Sequence, residues 1–298
     1  MSTRHGRWPT EDPAQSSALD AALEEAITRA LAEDVGQGDL TAHLLDAGAQ
    51  ADAQLIVREA AVLCGTPWFD GLMHRVDARI DLQWFAAEGA VLKSGATVCR
   101  LGGPARALLT AERGALNFLQ LLSGVATVTR RYVDAVAQVP GSRAKILDTR
   151  KTIPGLRLAQ KYAVRVGGGC NQRLGLYDAI LIKENHIAAA GGVAAALHAA
   201  RGKGVPVQIE VESLAQLEEA LQAGAHSILL DNFALAAMRE AVRINAGRAL
   251  LEASGGVTLA TVQEIAATGV DRISVGALTK DIKAIDYSMR VVASSAAR

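Results

Sequence analysis

The sequence predicts an α/β protein whose C-terminal part is a (β/α) barrel with fewer than eight strands. Three observations carry this. From about residue 143, six short apolar runs alternate with amphipathic stretches such as SLAQLEEALQAG: AKILD, DAILIK, PVQIEV, HSILLD, RALLEA and DRISVG. The later runs recur at intervals of about 20 to 28 residues, the order of a parallel sheet built from βα units. The runs also close on polar residues or glycine: Asp148 with Arg150 and Lys151, then Lys183, Glu210, Asp231, Ser254 and Gly276. Strand C-termini converge on one face of a barrel, where catalytic groups sit, whereas a doubly wound sheet offers a single switch point.

The preceding part reads as an α+β region. Residues 1–17, MSTRHGRWPTEDPAQSS, are polar and contain proline, so a disordered tail is expected. They lack the apolar core and small-residue cleavage site of a secretory signal. Residues 18–33 space Leu19, Leu23, Ile27 and Leu31 as one face of a helix, which ends before the turn-rich VGQGDLT. QLIVREAAVLCG, IDLQWFAAEG and ATVCRLGG are short, β-rich and broken by glycine, as strands joined by turns are. TAERGALNFLQLLSGVATVTRRYVDAV returns to helical spacing, and Ser123 and Gly124 predict a break into two helices. An N-terminal domain over 18–125 and a barrel over 126–282 follow, with segment 283–298 returning to the N-terminal domain.

Composition narrows the function. The chain has 298 residues, 31 basic and 31 acidic, yet residues 143–183 hold nine Lys or Arg against two acids, Asp148 and Asp178. Cations gathered at strand ends in a neutral chain point to a small polyanionic ligand, because a nucleic-acid surface biases the charge of a larger region. No run approaches the roughly 18 to 20 apolar residues of a membrane span. Cys64, Cys99 and Cys170 are far apart and without CxxC spacing, which argues against disulfides and zinc and suits a reducing cytoplasm.

Single motifs add detail. Ser254, Gly255 and Gly256 follow a strand and are predicted to open a helix at Thr258, whose N–H groups and dipole suit a phosphate. Gly276, in the segment Val275 to Ala277, supplies a second glycine after the next strand, and late-strand loops are the usual phosphate site of barrels. The glycines at 167–169 do not form GxGxxG, which argues against a dinucleotide fold. Glu210 and Asp231 close apolar strands, where a carboxylate holds a metal, accepts from sugar hydroxyls, or pairs with Lys183 or Lys151. A pair on adjacent strands suits Mg²⁺. His186 reads as a ligand or base, or as a residue that orients its loop.

The segments EDVGQGDLT, TAERGALNFLQLLSGVAT, DTRKTIPGLRLAQKYAVRVGGGCNQRLGLYDAILIKENHI, IEVES, ILLDN, EASGG and SVGALTK together resemble the quinolinate phosphoribosyltransferases, also called nicotinate-nucleotide pyrophosphorylases, from about residue 19 to 292. The resemblance implies an N-terminal open-faced α/β sandwich, an incomplete barrel of six or seven parallel strands, and a homodimer with active sites at the subunit interface. It implies a Mg²⁺-dependent enzyme that converts quinolinate and phosphoribosyl pyrophosphate to nicotinate mononucleotide, pyrophosphate and carbon dioxide in NAD synthesis. Residue by residue, Arg150, Lys151 and Arg173 match the cationic pocket for the pyridine dicarboxylate, Thr149 is a further substrate-binding residue, and Arg113 matches an arginine donated by the partner subunit. Lys183 falls near the pyrophosphate or a substrate carboxylate, Glu210 and Asp231 near ribose and Mg²⁺. Ser254 to Gly256 and Val275 to Ala277 match the 5′-phosphate cradle. Gln172 departs from the pattern, since many members have histidine there; an amide still donates to a carboxylate but carries no charge. A same-fold protein with another acceptor and a non-catalytic phosphosugar-binding barrel are the alternatives.

Overall fold

The structure, a computed structural model, describes residues 13–292. The expected disordered tail lies outside them up to residue 12, and from Pro13 onward it is helical. Helix α1 (Pro13–Asp34) begins there, earlier than its apolar spacing, on a proline whose missing N–H removes no helical bond. A 3₁₀ turn (Ala42–Leu44) leads to β1 (Gln50–Val57), β2 (Ala61–Val62), α2 (Thr66–Val76), β3 (Asp81–Trp84), β4 (Val91–Leu92), β5 (Thr97–Pro104) and α3 (Ala105–Ala137). Then follow β6 (Lys145–Leu147), α4 (Arg157–Val166), β7 (Ile180–Ile182), α5 (Glu184–Ala190), α6 (Val193–Ala200), β8 (Val207–Val211) and α7 (Leu214–Gln222). The chain continues through β9 (Ser227–Asp231), α8 (Leu235–Asn245), β10 (Leu250–Ser254), α9 (Val262–Ala266), β11 (Arg272–Ser274), α10 (Ala277–Lys280) and β12 (Tyr287–Val292). No helix among the described residues is long and apolar enough to cross a membrane.

Two compact units result. The first takes the described residues up to Val128, Ile153–Gly167 and those from Ile282 on; the second takes Thr129–Thr152 and Gly168–Asp281. The division therefore falls within α3, and α4 groups with the first unit.

In the first unit an antiparallel sheet runs in the order β12-β1-β5-β3. Along β1 the side chains of Ala53, Leu55 and Val57 are buried and alternate with more exposed neighbours, the period-two pattern of a strand with one face on a core. Helix α2 was not evident from apolar spacing. Its first turn is capped instead by Glu88, whose carboxylate accepts from the backbone N–H groups of Gly65 and Thr66, and Trp68 and Phe69 are wholly buried.

The expected break at Ser123 and Gly124 is not there, since α3 is one helix of 33 residues. Both residues mark close approaches. Ser123 Oγ donates to Cys64 O and accepts from Cys64 N, each at 3.0 Å, and a Cβ on Gly124 would lie 2.4 Å from the carbonyl oxygen of Lys283.

The second unit is a six-stranded parallel sheet, β6-β11-β10-β9-β8-β7, with helices following its strands. All six predicted runs supply its strands. They are short, and their central residues (Ile209, Ile228, Leu230, Ala253, Ile273) are fully buried, as befits a sheet covered on both faces. Beyond β6 the strand order continues only as a parallel bridge between Leu147 and Cys170.

Gly124→Ala should destabilise the protein by about 1–3 kcal/mol, the usual range for overpacking, because the obstacle is backbone and not a movable side chain. Chemical denaturation checks this, and an unchanged midpoint would show that Lys283 yields freely.

Candidate active site

A buried carboxylate organises the cations. Asp148, at the end of β6, is wholly buried and accepts from Asn171 Nδ2 at 2.6 Å and from the backbone N–H of Gln172 at 2.9 Å. Beside it, the backbone N–H of Asp148 donates to Cys170 O at 3.1 Å and that of Cys170 to Ile146 O at 2.8 Å. Residues 149–151 and 171–173 are thereby held side by side. Burial, and then the nearby charge of Arg150, hold the Arg173 guanidinium below the usual arginine range, while Asp178 and Glu210 act the other way. The Nε atoms of Arg150 and Arg173 are buried without a hydrogen-bond partner. Buried donors are rarely left so, and two of them on neighbouring guanidiniums suit an anion with more than one oxygen to offer.

Lys151 is fixed from its backbone. Its N–H donates to Thr149 Oγ1 at 3.1 Å, and its carbonyl accepts from the Thr279 hydroxyl at 2.7 Å. A Cβ on Gly276 would lie 3.2 Å from Lys151 Cδ and 3.7 Å from Thr149 Oγ1, so the ends of β6 and β11 meet closely here. Val275 donates its backbone N–H to Leu147 O within the sheet and is buried, whereas Gly276 and Ala277 are half-buried.

Lys183, Glu210 and Asp231 stand at the ends of β7, β8 and β9. Lys183 Nζ lies 3.3 Å from Glu210 Oε2, so one of the arrangements open to Glu210 from sequence, an ion pair with Lys183, is formed. The Glu210 side chain is only 11% exposed. Its burial raises the carboxyl above the usual glutamate range, Lys183 opposes that, and Asp231 and Glu184 add to it. His186 orients its loop, for its Nδ1 accepts from the backbone N–H of Lys183 at 3.0 Å.

The glycines after β10 have a specific reason. Asn232, in the left-handed region at φ 55°, donates its backbone N–H to Ser254 O and its amide to Asp231 Oδ2, each at 2.9 Å. A Cβ on Gly255 would come 2.0 Å from Asn232 Oδ1, and Gly255 itself has φ 100°. Glycine is therefore required for Asn232 to bridge β9 and β10. The helix expected at Thr258 begins only at Val262, because the Thr258 N–H donates to Thr261 Oγ1 at 3.0 Å and closes a turn first. Ser254, Gly255 and Gly256 thus precede a turn and not a helix dipole.

Arg113 is exposed on α3 in the first unit. Asn232 was not singled out from sequence, and Asp148 was named only as a polar residue that closes its strand, with no role. The signal for Asp148 was present, as it is one of the two acids in the most cationic stretch of the chain. Among the described residues no group of three or more His, Cys, Asp or Glu could hold a metal by itself. Glu210 and Asp231 are hard oxygen donors on neighbouring strands, which fits a hydrated Mg²⁺ that takes its remaining ligands from phosphates and water, and does not fit an all-protein cage.

Replacing Lys183 by Met removes the charge that draws the Glu210 pKa down, so the Glu210 midpoint should move further up. Carbon NMR of the Glu210 carboxyl as pH is varied checks this; an unmoved midpoint would mean that burial alone sets it.

Two family models divide the chain: the quinolinate phosphoribosyl transferase N-terminal domain matches residues 39–123 and the C-terminal domain residues 125–290. A nicotinate-nucleotide pyrophosphorylase (carboxylating) of Mycobacterium leprae is 44% identical over 90% of this chain and 96% of its own length. A probable one of Bacillus subtilis is 39% identical, over 92% of this chain and 94% of its own length. The structure of the nicotinate-nucleotide pyrophosphorylase from Francisella tularensis superposes with a TM-score of 0.88 at 44% identity, over 92% of this chain and 97% of that one. With both domain models matched across the fold and the cationic strand ends described above, the chain belongs to the quinolinate phosphoribosyltransferase family.

Proposed function

We propose that this protein is a pentosyltransferase that moves the phosphoribosyl group of phosphoribosyl pyrophosphate onto quinolinate with decarboxylation, giving nicotinate mononucleotide, pyrophosphate and carbon dioxide in de novo NAD biosynthesis. The observation that carries the reading is the pair Arg150 and Arg173, neighbouring cations whose buried Nε atoms lack partners. Quinolinate has two adjacent carboxylates. Guanidinium forks bind such groups bidentately, and Lys151 adds a point charge. Thr149 and Gln172 complete the pocket as neutral hydrogen-bonding groups.

Chemistry follows from this placement. With the pyridine ring oriented, its nitrogen faces the anomeric carbon of the ribose. As pyrophosphate leaves, that carbon gains positive charge, which the Asp231 and Glu210 carboxylates stabilise, while Lys183 meets the departing anion. Glu210 and Asp231 would hold Mg²⁺, which neutralises pyrophosphate charge when bound. The quaternised ring nitrogen then draws electrons from the adjacent carbon, and its carboxylate leaves as carbon dioxide. Backbone groups of Ser254, Gly255 and Gly256, with Gly276 and Ala277, suit the 5′-phosphate.

A homodimer with shared sites belongs to the same proposal. Arg113, exposed on α3, is the residue we assign to the partner subunit's site. Cys64, Cys99 and Cys170 are free thiols, which supports a reducing cytoplasm as the setting.

The deciding assay compares kcat/KM for quinolinate, nicotinate and nicotinamide. A mono-acid leaves part of the cation cluster unpaired in a partly dehydrated pocket, so quinolinate should be preferred by about 10⁴ or more. Comparable use of nicotinate would refute the assignment. For the shared site, Arg113→Ala and Lys151→Ala should each be nearly inactive, and randomly mixed dimers should regain about a quarter of the activity, since about half pair one of each and hold one intact site. Mixed dimers that regain nothing would rule out donation of Arg113 across the interface.

A further inference from the structure

We propose that Asn232 is a positioning residue for Asp231, holding the carboxylate that the proposed function places at the ribose. The inference rests on that reading of Asp231. Side chains of successive residues in an extended strand point to opposite faces, so the residue after Asp231 would ordinarily turn away from it. Asn232 does not. Its left-handed conformation, at φ 55°, breaks the alternation where β9 ends, and its Nδ2 comes back to Asp231 Oδ2 at 2.9 Å. Its backbone N–H is meanwhile tied to Ser254 O at 2.9 Å, so the amide is carried on a fixed main chain.

Two features of the sequence serve this one contact. Asparagine is among the few residues with a side chain that enter the left-handed region readily. At position 255 a Cβ would lie 2.0 Å from Asn232 Oδ1 and 2.6 Å from its Cγ, so any side chain there would push the amide out of place. Asn232 is exposed, and core packing gives no reason for either choice. A conformation of this kind on the rim of a site points to a task for the residue that adopts it. Orientation is what the contact supplies. A carboxylate turns easily about its last bond, because that torsion has broad minima. Glu210 adds a push, since β8 and β9 are adjacent and the Asp231 charge is one of the influences that raise the Glu210 carboxyl. A donor on Oδ2 holds Asp231 against that repulsion. The carboxylate only accepts, so the amide must face it with NH₂, and the opposite end of the amide, Oδ1, lies where Gly255 leaves room.

Asn232→Gly keeps the left-handed backbone and its N–H but removes the amide. The expected result is a fall in kcat of about tenfold to a hundredfold, the order that a misplaced group costs. KM for both substrates, and the calorimetric affinity for phosphoribosyl pyrophosphate alone, should stay within about threefold. The deciding comparison is made in Asp231→Asn protein, where Asn232→Gly should change the residual kcat by less than about twofold, because the carboxylate it positions is gone. Asn232→Asp keeps the shape and the left-handed conformation but puts a second acceptor beside the first, and should lose at least as much kcat as Asn232→Gly. An unchanged kcat in both single variants, a loss confined to KM, or an equal fall in kcat with and without the Asp231 carboxylate would overturn the proposal. Should Asn232→Gly fail to fold, Asn232→Asp decides against the same two backgrounds. The unmutated protein is measured alongside: failure there to use quinolinate defeats the function itself and this inference with it, an outcome distinct from active protein with unaffected variants.

Discussion

The rest of the site depends on the contact between Asp148 and the segment that follows Cys170. Arg150 and Lys151 on one stretch and Arg173 on the other repel one another, and only backbone bonds around Cys170 join the two stretches besides. A carboxylate sunk at the end of β6 brings them together by taking a backbone N–H and a side-chain amide from the other stretch. Hydrogen bonds to a charged acceptor are among the stronger ones a protein makes, and burial strengthens them further. Asp148 therefore does not meet the ligand in our reading. It sets the distance between the groups that do.

The same device recurs round the strand ends with different atoms. At β9 and β10 it is Asn232, in a left-handed conformation, whose side chain occupies the place a Cβ on residue 255 would take. At β6 and β11 it is Gly276, against which Lys151 and Thr149 pack. At β7 and β8 it is the contact of Lys183 with Glu210. Each joins neighbouring strands through a residue that is not itself hydrophobic, so the face is held by polar bonds and one close approach at a glycine above a core of Ile, Leu and Ala.

Much of this was legible in the sequence, and the exceptions share a cause. The six strands were readable because a strand buried on both faces is a bare apolar run, and such runs stand out between amphipathic helices. The cations and carboxylates at their ends were readable from position alone. What failed were readings in which a small residue was taken for a break or a helix start. Ser123 and Gly124 sit within α3 because another segment approaches there, and Gly255 exists for Asn232; neither neighbour is close in sequence. Helix α2 escaped notice because it is capped by Glu88, distant in the chain.

Strand β12 gives the first unit's sheet its last member, pairing along β1 from Tyr287 opposite Val57 to Val292 opposite Asp52. A ribosome makes β1 early and β12 at the end, with the whole parallel sheet synthesised in between. Until then β1 has β5 on one side and an unpaired edge on the other, and an open edge of that kind is a template for other chains. The second unit, whose strands are contiguous in synthesis apart from the α4 excursion, can condense without waiting. Newly made protein thus carries the open edge of β1 for as long as the parallel sheet takes to be synthesised, and it is in that interval that a chaperone would find something to hold.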